Sequence, residues 1–180
     1  EYISLTGGEP LMIENMWNML QLSVDGGYAA NQALQYNTNG SVVPTPAQWD
    51  LWSKFKKVDI QVSIDDIGDR HHYQRHPSNW ENVKSTINEF KKRPSISLST
   101  NSTVSNFNIY YLDEVTDEVI NNIGVSIWYN ILHSPSELSI AALSPEIKEI
   151  LVKKLSPVIE YNPDMTSVLN LVASNPDPDQ

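Results

Sequence analysis

The sequence predicts an α/β fold in which parallel strands alternate with helices and curl toward a barrel. Short apolar or alternating runs recur at residues 2–5, 34–37, 58–65, 96–100 and 125–132, starting about thirty residues apart, the length of one strand-plus-helix unit. Apolar residues at helical spacing fill the gaps between them. The third run alternates: Val58, Ile60, Val62 and Ile64 share one face, and Asp59, Gln61, Ser63 and Asp65 share the other. A central strand of a doubly wound sheet is apolar on both faces. A one-sided strand therefore fits a βα barrel whose inner face lines a site, or else an edge strand with a solvated face.

After the first run, Ile13, Met16, Trp17 and Leu20 recur at helical spacing up to the Gly26-Gly27 break. After the second, Thr45-Pro46-Ala47-Gln48 offers an N-cap, a proline at the first helical position and a capping-box glutamine, which predicts a helix running to Phe55. After the third, Ser78-Asn79-Trp80-Glu81 predicts another capping box, and Trp80, Val83, Ile87 and Phe90 form one apolar face before Pro94. Leu112, Val115, Val119 and Ile120 predict a helix ending near Gly124, and Ser144-Pro145 opens the last helix of the core with Ile147, Ile150 and Leu151. The stretch from Ser174 to Gln180 is rich in Asp and Pro and reads as a frayed or cut end. The chain begins on a strand without Met, which reads as a start inside a domain.

At 180 residues, with 40% of them hydrophobic, the chain can bury the core of a single domain. Its net charge of −10 argues against nucleic acid or an anionic membrane surface as a partner, because both reward clustered Lys and Arg. No apolar run approaches the length of about eighteen residues that spans a bilayer, and Glu1-Tyr2-Ile3-Ser4-Leu5 lacks the regions of a signal peptide. The expected setting is the cytoplasm. With no cysteine, these residues contain no disulfide, no thiolate zinc site and no thiolate ligand for an iron–sulfur cluster.

The motif of greatest interest is Gly7-Gly8-Glu9-Pro10, between the first strand and the first helix. That position is the carboxyl edge of the sheet, where α/β folds bind ligands. Two glycines allow a sharp turn with close backbone approach, and a turn presenting carbonyl oxygens and a carboxylate suits an ammonium group. A plain βα turn is the alternative.

Leu5 to Leu11, Leu-Thr-Gly-Gly-Glu-Pro-Leu, resembles the "GGEP" segment of radical S-adenosylmethionine enzymes, which follows their second barrel strand and holds the cofactor's amino group. Further matches come in that family's order. Thr38-Asn39-Gly40 resembles the "TNG" ending of the third strand, and Val62-Ser63-Ile64-Asp65 resembles the "SxD" ending of the fourth. His72, Arg75 and the Trp80 helix resemble the stretch from which an arginine reaches the cofactor carboxylate, a role suited to a guanidinium, with a surface salt bridge as the alternative. The run 96–100 corresponds to the fifth strand, with Ser105 and Asn108 in the loop after it, and 124–130 to the sixth, with Asn130 facing the adenosine.

The resemblance implies a partial (βα)6 barrel over residues 1–160, strands two to six, followed at 161–180 by a C-terminal helix or linker toward a further extension. It implies an enzyme that reductively cleaves S-adenosylmethionine to methionine and a 5′-deoxyadenosyl radical, which takes hydrogen from a substrate, with peptides as the first expectation. Implied cofactor-binding residues are Gly7, Gly8, Glu9, Pro10, Asn39, Ser63, Asp65, Arg75 and Asn130. The implied cofactors are S-adenosylmethionine and a 4Fe-4S cluster whose Cys-x3-Cys-x2-Cys ligands lie upstream of Glu1, so this segment by itself is expected to be inactive. A reductant such as flavodoxin or ferredoxin is an implied partner. The stretch from Leu138 to Lys148 is faintly similar to members carrying a twitch or SPASM extension.

Two other classes stay open at this point: a degenerate barrel that only binds, and a metal-dependent barrel lyase or isomerase. The second would use His71, His72 and His76 with Asp65, Asp66 and Asp69, all possible zinc or iron ligands, although a polar loop at the barrel mouth explains them more simply. His133 stands alone and reads as a hydrogen-bonded structural histidine. Trp17, Trp49, Trp52 and Trp80 read as core, with Trp128 the exception, and the acidic run at Asp113-Glu114 and Asp117-Glu118 reads as a solvated helix face.

Overall fold

The computed structural model describes residues 1–174; the Asp- and Pro-rich tail beyond Ser174 lies outside the described residues. Five strands, β1 (Tyr2–Leu5), β2 (Ala33–Thr38), β3 (Lys57–Ser63), β4 (Ile96–Val104) and β5 (Ser126–Ile131), form one sheet. All neighbours are parallel and the order follows the chain. A sheet that never reverses its direction of winding, joined by right-handed crossovers, carries its helices on one face. That is the progression of a barrel wall.

The helices are α1 (Glu14–Asp25), α2 (Pro46–Trp52), α3 (Gly68–Gln74), α4 (Trp80–Lys91), α5 (Leu112–Asp117), α6 (Pro145–Leu155) and α7 (Met165–Ala173). Leu34 and Tyr36 of β2, Val58, Ile60 and Val62 of β3, and Ile127 of β5 are buried against Trp17 and Leu20 of α1, Trp52 of α2, Val83, Ile87 and Phe90 of α4 and Val115 of α5. Burying such side chains contributes about 1.5–3 kcal/mol each, which pins the register. A second cluster joins Val104, Ile109 and Leu112 to Leu151 and Leu155 of α6 and Met165, Val168, Leu169 and Val172 of α7. Among the described residues no helix is long and apolar enough to cross a membrane.

Local chemistry explains the element ends. Both bonds of the Thr45 capping box form, the Gln48 N–H donating to Thr45 Oγ1 and the Thr45 N–H to Gln48 Oε1, but α2 stops at Trp52 rather than Phe55. The cap of α4 is Asn79, whose side chain accepts from the Asn82 N–H at 3.2 Å, one residue later than expected. The Ser78 hydroxyl is instead engaged by His71 Nε2 at 2.9 Å. β4 runs four residues past Thr100, to Val104, because Asn101 to Val104 pair with Trp128 to Ile131. The helical pattern after α5 continues as a π-helical stretch, Glu118–Ile123, and stops at Gly124 with φ +77°, a conformation natural to glycine.

Candidate functional site

Gly7-Gly8-Glu9-Pro10 leaves β1 at the carboxyl edge of the sheet. Gly7 and Gly8 have φ of +89° and +59°, where a side chain costs about 1–2 kcal/mol. A Cβ at either would meet nothing within 4 Å, so the space beside both α-carbons is open. The Glu9 carboxylate turns to β2. It accepts from Thr38 Oγ1 at 2.8 and 2.9 Å, from the Asn39 N–H at 2.8 Å and from the Leu11 N–H at 3.2 Å. These bonds fasten the first turn to the second strand end and leave the glycine backbone as the open part of the motif. Pro10, buried, then begins a 3-10 turn.

Asn39 is half-buried beside that turn, its Oδ1 accepting from the Ser41 N–H at 2.8 Å. Gly40 packs under it: a Cβ there would lie 3.0 Å from Val62 Cγ1 and 3.1 Å from Val83 Cγ1. The third strand end supplies Ser63 on the inner face and then Asp65. Asp65 is held from three sides, its Oδ1 accepting from the Thr103 N–H at 2.8 Å, its carbonyl from Asn108 Nδ2 at 2.9 Å, and its Oδ2 lying 2.7 Å from Arg75 Nε. Arg75 follows α3 directly, and its Nε–H points off the line to the carboxylate and has no hydrogen-bond partner in the chain. Its side chain is 23% exposed, so donor capacity remains for an anion at the edge. Asn130 is exposed on β5, in register with Thr103.

The structure thus brings Gly7 to Pro10, Asn39, Ser63, Asp65 and Arg75 to successive ends of parallel strands, with Asn130 on the inner face of β5. Thr38, Thr103 and Asn108, which fix Glu9 and Asp65, were not singled out for those roles by the sequence. They answer to strand register, which a single sequence does not display.

Other charged groups serve the fold. Asp66 is fully buried and accepts from the Ile67 N–H, Arg70 Nε and Gln74 Nε2; burial pushes its carboxyl up despite these donors. Arg70 also reaches Glu114 at 2.7 Å and stacks 4.0 Å over Tyr111. His71 is buried, with Nδ1 3.1 Å from the Asp66 carbonyl oxygen, and burial lowers its pKa. With both its ring nitrogens engaged, His71 is not disposed as a metal ligand, and among the described residues no group of three His, Cys, Asp or Glu is so disposed. His133 departs from expectation: it is exposed in the loop beyond β5, because the strand has already left the core. The acidic run is ion-paired rather than simply solvated, Asp113 with Lys154, Glu114 with Arg70 and Glu118 with Lys84.

The inner face is polar apart from Ala33 and Trp128. Asp59 accepts from the Tyr2 hydroxyl at 2.6 Å and from Lys57 at 2.7 Å. Burial raises its carboxyl, but hydrogen bonds from Lys57, Tyr2 and Ser97 outweigh that and hold it below the usual carboxylate range. Trp17, Trp52 and Trp80 are core residues, whereas Trp128 is 52% exposed on this face. As a donor set, the edge offers open glycine peptides and an incompletely bonded guanidinium, which fits the amino and carboxylate ends of S-adenosylmethionine. It offers iron no thiolate.

No protein-family model and no curated protein sequence matches the chain. Solved structures do. Hexahistidine-tagged anSMEcpe with bound AdoMet superposes with a TM-score of 0.63 at 16% identity, covering 96% of this chain and 51% of that one. Native anSMEcpe with bound AdoMet and Cp18Cys peptide gives 0.61 at 15% identity, over 91% and 48%. The chain has the radical S-adenosylmethionine partial-barrel fold. Streptococcus suis SuiB bound to S-adenosylmethionine has the same fold, with a TM-score of 0.58 at 14% identity over 88% of this chain and 35% of that one. The chain spans about half the length of the anSMEcpe structures it matches and about a third of SuiB.

Proposed function

We propose that this chain is the core of a cytoplasmic radical S-adenosylmethionine enzyme acting on a peptide. The observation that carries the reading is the placement of the open Gly7-Gly8 turn after β1 and the Asp65–Arg75 pair after β3, on either side of β2 at the carboxyl edge of a singly wound parallel sheet. Two likenesses support it: anSMEcpe has been seen with AdoMet and a peptide, and SuiB with S-adenosylmethionine. With a reduced 4Fe-4S cluster, S-adenosylmethionine held by Gly7, Gly8 and Arg75 would supply 5′-deoxyadenosyl radical chemistry for hydrogen abstraction.

The protein's share is positioning. The Gly7 and Gly8 peptides hold the cofactor's ammonium through their carbonyls, with Glu9 keeping the turn in place from behind and Pro10 fixing its exit. Arg75, steadied by Asp65, takes the carboxylate through its remaining donors. Ser63 and Asn39 offer hydrogen bonds to the polar middle of the cofactor, and Asn130 to the adenosine. Asp65 is itself locked by Thr103 and Asn108, so Arg75 is directed before the ligand arrives. A carrier such as flavodoxin or ferredoxin delivers the electron.

The test is anaerobic reconstitution of the full-length protein with iron and sulfide, followed by dithionite and S-adenosylmethionine. The expected product is 5′-deoxyadenosine, formed only when reductant is present. A reconstituted protein that binds S-adenosylmethionine and forms none is a degenerate binding barrel, and one that binds neither iron nor S-adenosylmethionine contradicts the reading outright.

A further inference from the structure

Three of the chain's four histidines fall between positions 71 and 76, and their surroundings differ. His71 is buried, with Nδ1 near the Asp66 carbonyl oxygen and Nε2 at the Ser78 hydroxyl. His72 and His76 are exposed and lie outside the hydrophobic clusters, and the cofactor reading leaves both unused. Their spacing, His-x3-His, is the one that brings two imidazoles together on a helix. Helix α3 ends at Gln74, yet the turn is kept. The Arg75 N–H donates to the His71 carbonyl at 2.9 Å, and the Ser78 N–H to the Arg75 carbonyl at 2.7 Å. The rings of His72 and His76 accordingly meet edge to face, with centroids 5.0 Å apart.

That separation fits a shared metal ion. Two imidazole nitrogens about 2.0–2.1 Å from one zinc ion, at the tetrahedral angle of about 109°, put the ring centres about 5 Å apart. The hydrogen positions fit as well. His72 Nδ1 lies 2.9 Å from the Ser78 carbonyl oxygen, which can only accept, so Nδ1 carries the hydrogen and Nε2 of the neutral ring keeps its lone pair. Donation from the other ring nitrogen to a backbone carbonyl is the usual way a metal-ligating histidine is oriented. Ser78 thus steadies two histidines, the buried one through its hydroxyl and the exposed one through its carbonyl. Among the described residues no third His, Asp or Glu completes a set of three, so water takes the remaining positions on the ion.

We propose that His72 and His76 form a two-histidine site for a late divalent transition metal ion of the zinc class. Neutral imidazole suits zinc, copper and nickel, whereas magnesium and calcium prefer oxygen. The ion acts as a clip: it joins residues on either side of Arg75 and closes the turn that carries this guanidinium to Asp65. Such a cross-link stabilises the folded chain, because the unfolded chain does not hold the two rings together. The site stands on these residues alone and is independent of the cofactor reading.

The experiment is a calorimetric titration of zinc chloride into the reconstituted full-length protein and into its His72→Ala, His76→Ala and His133→Ala variants. One zinc equivalent of the wild type should weaken about tenfold or more in His72→Ala and in His76→Ala. His133→Ala, which removes the other exposed histidine, should bind as the wild type does. Zinc should raise the thermal midpoint of the wild type by more than that of either pair variant, and magnesium chloride should raise none of them. Zinc should also shield His72 and His76, but not His133, from diethylpyrocarbonate, read by peptide mass mapping; this separates the pair from cysteine ligands elsewhere in the protein. Equal zinc binding in all four proteins, loss in only one of the two pair variants, or zinc that leaves both rings open to the reagent overturns the proposal and leaves the rings as a packing contact. Magnesium that shields the pair as zinc does overturns the metal class.

Discussion

Replacing Glu9 tests whether the first turn is held from behind. Glu9→Ala strands the Asn39 N–H and the Thr38 hydroxyl, the latter on a residue only 1% exposed. Hydrogen bonds to a charged acceptor are each worth about 1.5–3 kcal/mol, and water reaching the partly exposed side of the turn recovers part of that, leaving an expected loss of about 2–4 kcal/mol. Glu9→Gln keeps the shape and one acceptor and should lose about 1–2 kcal/mol. Urea unfolding followed by tryptophan fluorescence reads both. At about 2 kcal/mol per molar of urea, the alanine variant should unfold about 1–2 M earlier. Glu14→Ala, on the exposed first turn of α1, is the control and should stay within about 0.5 kcal/mol. A Glu9→Ala midpoint no further from wild type than that of the control would refute the reasoning.

Three other outcomes are expected. Gly40→Ala combines a φ of +72° with contacts of 3.0 and 3.1 Å to Val62 and Val83, so thermal unfolding should show a loss of about 2–4 kcal/mol, against about 1–2 for the open Gly7→Ala. Burial holds the His71 pKa below its ordinary value, so the unfolded chain binds more protons, and stability should be full above about pH 6.5 and decline as pH falls through it. His71→Gln should flatten that decline between pH 7 and 5.5, which unfolding at the two pH values checks. Burial pushes the Tyr129 hydroxyl up to about 12 while it bonds Thr116 and Asn162; Tyr129→Phe should cost about 1–3 kcal/mol in the same assay by leaving buried Asn162 without its acceptor.

Much of this architecture is legible in the residues, because period and punctuation are local. The alternation from Val58 to Asp65 gave a one-sided strand, and the structure puts Val58, Ile60, Val62 and Ile64 in the core with Asp59, Gln61 and Ser63 opposite. Thr45-Pro46-Ala47-Gln48 gave a helix start that forms bond for bond. What escaped depends on distant partners. Asn101-Ser102-Thr103-Val104 has no apolar alternation, and it is strand because β5 pairs with it. Ser78 looked like a cap, yet its hydroxyl is taken by His71. The Gly-Gly-Glu-Pro turn was visible as a motif, but the division of labour within it was not: Glu9 faces Thr38 and Asn39, twenty-nine and thirty residues on. The Tyr2–Lys57–Asp59 cluster needs the register of three strands, which single-sequence patterns do not carry.

Calorimetric titration of S-adenosylmethionine into the full-length protein and its Arg75→Met variant tests the central claim most directly, because Arg75 lies outside the hydrophobic cluster and its Nε–H makes no hydrogen bond within the chain. Saturable one-to-one binding is expected, weakened about tenfold or more in the variant through loss of a charge-assisted hydrogen bond. Undetectable binding to the wild-type protein, or equal affinity in the two proteins, would contradict it.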